Sequence, residues 1–124
     1  MKTRNKDTSR QKRETKGRRA ELLASLFLMI KGYQILAHRV RMHSGEIDII
    51  AKKGALIAFI EVKARKSIER GQHAVTDRSW RRIARTAEIW MSHKPNFSKC
   101  DWRYDLLVIA PFALPKHFQD YWRL

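Results

Sequence analysis

The 124-residue sequence has one cysteine and no long apolar segment. With Cys100 alone, no intramolecular disulfide can form, which fits a reducing compartment and leads us to expect a cytoplasmic protein. The main apolar run, LLASLFLMI at residues 22–30, is too short to span a bilayer. Lys31-Gly32-Tyr33 follows it where a signal peptide would have a small-residue cleavage site, although a transit peptide stays open. We therefore expect no membrane partner.

Several common functional motifs are also missing. There is no glycine-rich loop of the kind that cradles phosphates or dinucleotides, and no serine or cysteine nucleophile motif. None of the histidines has zinc-like spacing, so we expect them at the surface. The five are His38, His43, His73, His93 and His117.

Acidic residues are scarce relative to basic ones, with 12 Asp and Glu against 27 Lys and Arg, for a net charge of +15. Residues 1–20 hold nine of the basic residues and only two acids, and residues 21–124 still hold 18 basic residues against 10 acids, so the part expected to fold is itself basic. Such an excess favours a polyanionic partner, most simply nucleic acid. The alternatives are that the charge only aids solubility or meets an anionic membrane.

The apolar content of 44% predicts a globular fold, after a basic and disordered arm at residues 1–15. Residues 16–124 are expected to form one domain. The predicted order of elements is helix 16–31 ended by Gly32, strands 33–41, 46–52 and 55–65, loop 66–74, helix 76–93, strand 102–110 and a tail 112–124 of unclear role. This order predicts an α/β fold with a mixed central sheet. The last strand could lie parallel to the third, after a crossover through the second helix.

Each helix shows a pattern of apolar residues. In the first, Glu21 lies roughly opposite the centre of the main apolar face, yet Ala24 and Leu28 flank it, so the helix could be buried nearly all round. That main face consists of Leu22, Leu23, Leu26, Phe27 and Ile30. In the second, an apolar face opposes a row of arginines. The apolar face consists of Trp80, Ile83, Ala84, Ala87 and Met91, and the arginines are Arg78, Arg81, Arg82 and Arg85.

The segment GEIDIIAKKGALIAFIEVK, residues 45–63, places acids at period two on two neighbouring apolar strands. Residues two apart share a face of a strand. In an antiparallel hairpin, a two-residue loop at Lys53-Gly54 makes Asp48 and Glu61 diagonal neighbours, whereas a four-residue loop puts them directly opposite. Either register brings both carboxylates within reach of one cation. Oxygen ligands of this kind suit Mg²⁺ or Mn²⁺, and Lys63 on the Glu61 face could stabilise a phosphorane-like transition state.

A structural interpretation of the same residues also stands. Glu61 and Lys63 could pair with neighbours at a sheet edge, and Glu46 could pair with Arg39 or Arg41.

The sequence resembles the YraN-like bacterial proteins, which are predicted nucleases of the restriction-endonuclease-like fold related to Holliday junction resolvases. The blocks that carry the resemblance are residues 17–21 (GRRAE), 31–36 (KGYQIL), 45–51 (GEIDIIA), 59–65 (FIEVKAR), 74–75 (AV) and 103–105 (RYD). The resemblance implies that Asp48, Glu61 and Lys63 form the nuclease-like core and that Glu21 reaches the same site. One departure is that Ser79-Trp80 stands where the family usually has a Lys-Gln pair.

These observations lead to one main functional hypothesis and two alternatives. The main one is a nuclease that uses Mg²⁺ or Mn²⁺ on DNA, with branched DNA among its candidate substrates. Asp48 and Glu61 would bind the metal, and Glu21 and Lys63 would complete the catalytic group. Phosphates would be contacted by the arm and by Arg39, Arg41 and Arg65. A homodimer would suit a two-stranded substrate. The alternatives are a nucleic-acid-binding module with an inactive site, and a protein-interaction adaptor.

Overall fold

A computed structural model of the protein describes residues 17–124. The predicted basic arm, residues 1–15, lies outside the described residues. The elements are helix α1 (helical over 17–30), strands β1 (Gln34–Met42), β2 (Gly45–Lys53) and β3 (Leu56–Ala64), helices α2 (Ile68–Gln72) and α3 (Asp77–Ser92), a 3₁₀ turn (Pro95–Phe97), and strands β4 (Asp101–Ile109) and β5 (Lys116–Trp122).

The five strands form one mixed sheet in the order β1-β2-β3-β4-β5. The first three strands are antiparallel to one another, and β5 is antiparallel to β4. The central pair, β3 and β4, is parallel, and α3 lies in the connection between them, as the sequence predicts. Because β3 is the middle strand, Glu61 and Lys63 do not lie at a sheet edge. The ion pairs of the structural interpretation are nevertheless present, between Glu61 and Lys63 and between Glu46 and Arg41.

Helices cover both faces of the sheet, and each face has its own apolar cluster. On one face, buried residues of α3 pack on the sheet, among them Trp80 and Ile83 against Ile50 and Phe59. This is the apolar face that the spacing in α3 predicts, and the four arginines opposite it are exposed. On the other face, Ala20, Ala24 and Leu28 of α1 pack over small and branched residues of β2 and β3.

The orientation of α1 corrects the sequence-based expectation. Ala24 and Leu28 are fully buried, while the predicted main apolar face points away from the sheet. On that outward face, the exposed side chains are Leu22, Leu23, Leu26, Met29 and Ile30. The sheet beneath α1 carries Ala51 and Ala58, and small side chains on both sides allow a close approach of helix to sheet. The end of α1 is as predicted, because Gly32 has φ 93° and closes a Schellman motif with Tyr33 N–H donating to Leu28 C=O.

The segment after β4 is a strand rather than a tail of unclear role. β5 pairs with β4, and an irregularity in the pairing lies between Tyr104 and Leu106. The Trp122 ring stacks on the buried Trp80, with centroids 6.1 Å apart, and its indole N–H donates to Asp77. β5 therefore ties the start of α3 to the sheet. Within the predicted loop 66–74, the structure has the short helix α2.

The turn between β1 and β2 packs directly on α3. Gly45 has φ 156°, and a Cβ at this position would lie 3.2 Å from Thr86 Oγ1 and 3.3 Å from Arg82. The Ser44 hydroxyl is 2.7 Å from that of the buried Thr86, and Arg82 donates to the Ser44 C=O. The glycine that opens the GEID block thus serves this close contact, which fixes α3 beside the start of β2.

Within residues 17–124, none of the helices has the length and apolar character needed to cross a membrane.

Candidate functional site

The register of the central strands brings Asp48 and Glu61 together. β2 pairs with β3 through Ile49 with Ile60 and Ile50 with Phe59, so the next position sets Asp48 opposite Glu61. This is the register that was predicted for a four-residue loop. Lys53 and Leu56 also pair, so the turn itself contains only Gly54 and Ala55. We call Asp48 and Glu61 the acid pair.

Both carboxyl groups of the acid pair are largely buried. The Val62 N–H donates to Asp48 Oδ2 over 2.8 Å, which fixes the Asp48 side chain between the strands. Burial raises the pKa of Asp48, against the opposing effects of the Val62 N–H, Glu61 and Lys63. Burial, the Asp48 charge and a hydrogen bond to Asp48 raise the pKa of Glu61 to about 9. Without a cation, the pair therefore shares a proton at neutral pH.

Lys63 is beside the acid pair, as its spacing predicts. Its Nζ lies 3.5 Å from Glu61 Oε1, and the two side chains are 27% and 13% exposed. The ammonium opposes the rise in the pKa of Glu61. Lys63 is thus a partly exposed positive charge at the rim of a buried carboxyl pair, and its ammonium can bind an anion that approaches from solvent.

Glu21 reaches this region from α1, although it contacts Arg39 rather than the acid pair. Arg39 Nε donates to Glu21 Oε2 over 2.7 Å. The β1–β2 register sets Arg39 opposite Asp48, and Arg39 has φ 48°, a sparsely populated conformation for a residue with a side chain. Such strain costs about 1–3 kcal/mol and persists only where the surroundings hold it, here through the Glu21 ion pair.

Two clefts meet at the acid pair. The α1 cleft has a volume of about 380 Å³ and is lined by Glu21, Asp48, Glu61, Lys63 and Arg65, among others. The α3 cleft, of about 450 Å³, is lined by Glu61 and Lys63 together with the turn before β2 and the first turns of α3. Glu61 and Lys63 line both clefts, whereas Asp48 lines the α1 cleft alone, so the two clefts meet at Glu61.

The arginines predicted to contact phosphates have different surroundings. Arg39 is engaged with Glu21, whereas Arg41 forms an exposed pair with Glu46 at 3.3 Å in the α3 cleft. Arg65 is exposed, and its guanidinium donates only to the neighbouring Ala64 C=O. Arg41 and Arg65 thus lie at cleft entrances, and Arg39 lies closer to the acid pair.

The donor set for a metal is small. Among residues 17–124, no group of three or more His, Cys, Asp or Glu side chains lies close enough together to hold an ion. The acid pair supplies two carboxylates, and Glu21 lines the same cleft. Mg²⁺ in proteins is commonly held by one or two carboxylates, with waters and substrate phosphates as its other ligands. The residues present therefore fit a Mg²⁺ or Mn²⁺ ion.

Comparison with known proteins identifies the family. The model of "Uncharacterised protein family UPF0102" matches residues 20–109. The chain belongs to this family. It is 44% identical over 120 residues to a UPF0102 protein of Rhizobium meliloti, covering 97% of this chain and 98% of the relative. It is 43% identical over 112 residues to one of Mesorhizobium japonicum, with 90% of both chains covered. The expected membership of the YraN-like bacterial family is thus confirmed.

The protein has a second polar centre, to which the RYD block at residues 103–105 contributes and for which the sequence predicted no role. Asp105 on β4 is fully buried and accepts hydrogen bonds from three residues. Arg103 donates to both of its carboxylate oxygens at 2.7 Å, the Asp120 N–H donates to Oδ1 at 2.9 Å, and His117 Nε2 is 2.7 Å from Oδ2. Burial acts to raise the pKa of Asp105, but these hydrogen bonds together hold it below the ordinary value. The spacing of Arg103 and Asp105 on one strand was the available signal.

His117 corrects the expectation that all the histidines lie at the surface. Its side chain is 1% exposed, and its Nδ1 lies 2.6 Å from Lys31 Nζ. A lysine ammonium can only donate, so Nδ1 accepts and Nε2 carries the proton that is donated to Asp105. Arg103 also donates to the Tyr33 hydroxyl at 2.6 Å. The network joins the end of α1 to β4 and β5, and no polar side-chain atom buried within residues 17–124 lacks a partner.

Proposed function

We propose that this protein is a divalent-metal-dependent nuclease that hydrolyses phosphodiester bonds of DNA, with a domain of the restriction-endonuclease-like fold. The observation that carries the proposal is the acid pair with Lys63 beside it, open to two clefts in a basic protein. The five-stranded mixed sheet with helices on both faces supports the fold assignment. Two carboxyl groups set together at a solvent-accessible sheet end repel each other unless a proton or cation lies between them, which is a costly arrangement for a purely structural role.

Each residue of the site has a role that its position supports. Asp48 and Glu61 would hold the ion, and the Val62 N–H would keep Asp48 in place. A divalent cation bound there polarises a phosphodiester and lowers the pKa of coordinated water. Lys63 would stabilise negative charge that develops on the phosphate during attack. Glu21 would assist from the other wall of the α1 cleft, while Arg39, Arg41 and Arg65 would attract phosphates.

A second candidate function is a nucleic-acid-binding module with an inactive site. It is favoured by the engagement of Glu21 with Arg39, which leaves two carboxyl groups rather than three in mutual contact. This candidate predicts salt-sensitive binding without turnover.

The test is cleavage of labelled single-stranded, duplex and four-way-junction DNA with Mg²⁺, with Mn²⁺ or with EDTA. We expect the wild type to cleave only with metal and Asp48→Ala to lose cleavage while binding DNA at least as tightly, because a negative charge near the phosphates is removed. Glu46→Ala is the matched control, since Glu46 is on the same strand but exposed and paired with Arg41. Absence of cleavage by the wild type with every metal and substrate would instead support the binding module.

The same assay tests the preference for branched DNA, and native mass measurement tests the homodimer. Both stay predictions.

A further inference from the structure

A row of arginines on α3 forms a second basic surface next to the acid pair. Arg78, Arg81, Arg82 and Arg85 are all exposed. With His43 and Ser44 of the β1–β2 turn they line a cleft of about 410 Å³, which we call the arginine cleft. Four guanidinium groups along two turns of one helix repel one another in the free protein. A surface of this kind is stabilised by a partner that brings negative charge.

The arginine cleft adjoins the α3 cleft. Arg82 lines both, and the β1–β2 turn forms their common wall, with Met42 and Gly45 on one side and His43 and Ser44 on the other. The wall contacts α3 directly, because Arg82 donates to the Ser44 C=O and Gly45 packs against α3. The arginine row of α3 therefore extends to the edge of the cleft that Glu61 and Lys63 line.

The charge along this path is strongly positive. The two clefts together are lined by six basic side chains and two carboxyl groups. The basic ones are Arg41, Lys63, Arg78, Arg81, Arg82 and Arg85, and the acidic ones are Glu46 and Glu61. Arg81 is paired with Asp77 at 2.7 Å. Within residues 17–124, no side-chain hydrogen bond or ion pair engages Arg78 or Arg85, so both guanidinium groups can bind an external anion.

The lining also indicates which form of nucleic acid fits. Proteins that hold single strands stack the bases on aromatic side chains. Among residues 17–124, no Phe, Tyr or Trp lines either cleft, and Trp80, the aromatic residue of this part of α3, is buried. A surface with charge and without stacking platforms suits the paired bases and regular phosphates of a double helix.

We propose that the arginine row of α3 is a docking surface for the phosphodiester backbone of double-stranded DNA. It deepens the proposed function, on which it partly rests, since it names the surface that presents a backbone to the acid pair. Arg78 and Arg85 contact phosphates without regard to sequence. Arg82 joins this contact to the α3 cleft.

The test is binding of a short labelled duplex in EDTA, measured by fluorescence anisotropy from about 50 to about 200 mM salt. The protein compared is Asp48→Ala, so that cleavage plays no part. We expect Arg78→Gln/Arg85→Gln on this background to weaken binding and to lower the salt slope by about 2, since each lost phosphate contact removes about 0.9. Arg78→Lys/Arg85→Lys should restore the slope, because a phosphate contact needs the charge rather than the guanidinium shape.

The matched control is Lys94→Gln/Lys99→Gln, which removes two positive charges beyond the other end of α3. It should change the slope much less. Equal effects of the two double variants would overturn the proposal, because the net charge alone would then explain binding. Single-stranded DNA that binds as tightly as duplex would also overturn it. So would a result in which Arg78→Gln/Arg85→Gln loses binding to anionic lipid vesicles but keeps its binding to duplex DNA. The arginine variants should keep the wild-type melting temperature, since Arg78 and Arg85 are exposed. The control loses the contact of the Lys94 ammonium with the Trp90 ring, 5.2 Å from its centroid, and should melt slightly lower.

The outcome is independent of catalysis. If the arginine variants behave as expected while the wild type with Mg²⁺ or Mn²⁺ cuts nothing, the docking surface stands and the nuclease proposal fails. If the wild type cuts and the arginine variants bind like the control, the nuclease stands and the docking surface is elsewhere.

Discussion

Two neighbouring strands, β3 and β4, carry buried carboxyl groups whose electrostatic surroundings are opposite. On β4, Asp105 pairs in register with Ile60 of β3, one residue before Glu61. Asp105 is surrounded by donors from Arg103, His117 and the Asp120 N–H, and its pKa lies below the ordinary value. Glu61 is buried beside another carboxyl group, and its pKa is raised to about 9. The first arrangement has its charge fully compensated by hydrogen-bond donors, whereas the second is compensated only in part, by Lys63 and the Val62 N–H, and keeps a proton in the absence of a cation.

This difference separates a structural role from a functional one. A compensated carboxylate joins elements of the fold, as Asp105 joins β4 to β5. An uncompensated pair destabilises the folded state and is typical of sites selected for binding or catalysis. The contrast makes two predictions about stability, because the two centres should respond with opposite signs to removal of a charge.

The largest effect is expected at Asp105. Asp105→Asn leaves the Arg103 guanidinium buried without its carboxylate, and breaking a buried ion pair in this way costs about 3–5 kcal/mol. Urea unfolding at neutral pH measures the loss. Asp101→Asn, at the exposed start of the same strand, is the control and should stay within about 0.5 kcal/mol of wild type. A loss as small as that of the control would show that the Asp105 network contributes little.

The opposite sign is expected at Glu61. In EDTA, folded Glu61 keeps its proton up to a pKa of about 9, while in the unfolded chain it loses the proton near its ordinary pKa of 4.5. Between these values the wild type loses stability as pH rises, by up to about 1.4 kcal/mol per pH unit. Glu61→Gln cannot ionise and should be more stable than wild type by about 1 kcal/mol or more at pH 8, with the gain vanishing toward pH 4.

Thermal unfolding of both proteins across this pH range checks the prediction, beside the exposed Glu46→Gln. A Glu61→Gln variant that is less stable than wild type at pH 8 would mean that the acid pair is already compensated.

A smaller loss is expected where the wall between the clefts packs on α3. Gly45→Ala puts a Cβ 3.2 Å from Thr86 Oγ1 in a backbone conformation that side chains rarely adopt, and should cost about 1 kcal/mol or more. Gly17→Ala is the control, because a Cβ there meets nothing within 4 Å. Melting temperatures of the two variants measure the difference. An equal response would contradict the tight contact seen at Gly45.

Much of the fold follows from local pattern. The alternation of β2 and β3, the crossover through α3 and the stop at Gly32 each depend on spacing that the sequence shows directly. The register that opposes Asp48 and Glu61 is one of the two considered from the sequence, although the structure reaches it through a two-residue turn at Gly54-Ala55. The roles of Glu21, Asp48, Glu61 and Lys63 stay predictions, although the structure places all four around the same cleft.

The features that local pattern does not predict depend on volume and on distant partners. The face that α1 buries was predicted wrongly because apolar content favours its leucines, whereas the space above Ala51 and Ala58 admits the Ala20, Ala24 and Leu28 side. β5 was missed because an irregularity interrupts its pairing, and Asp120 there has φ 53°. The burial of His117 depends on Lys31 and Asp105, which are remote in sequence.

The parallel pairing of β3 with β4 also bears on how the chain folds during synthesis. Every pair in that ladder joins residues 45 positions apart, as Leu56 joins Asp101. Closing such a loop precedes the contacts that stabilise it, so parallel sheets of this kind form slowly. The hairpins of β1, β2 and β3 can form while the chain is still on the ribosome, but one side of β3 stays without its neighbour until β4 emerges. A product truncated before β4 would leave that edge of β3 unpaired, and residues 57–60, which are fully buried in the folded protein, would then be open to aggregation.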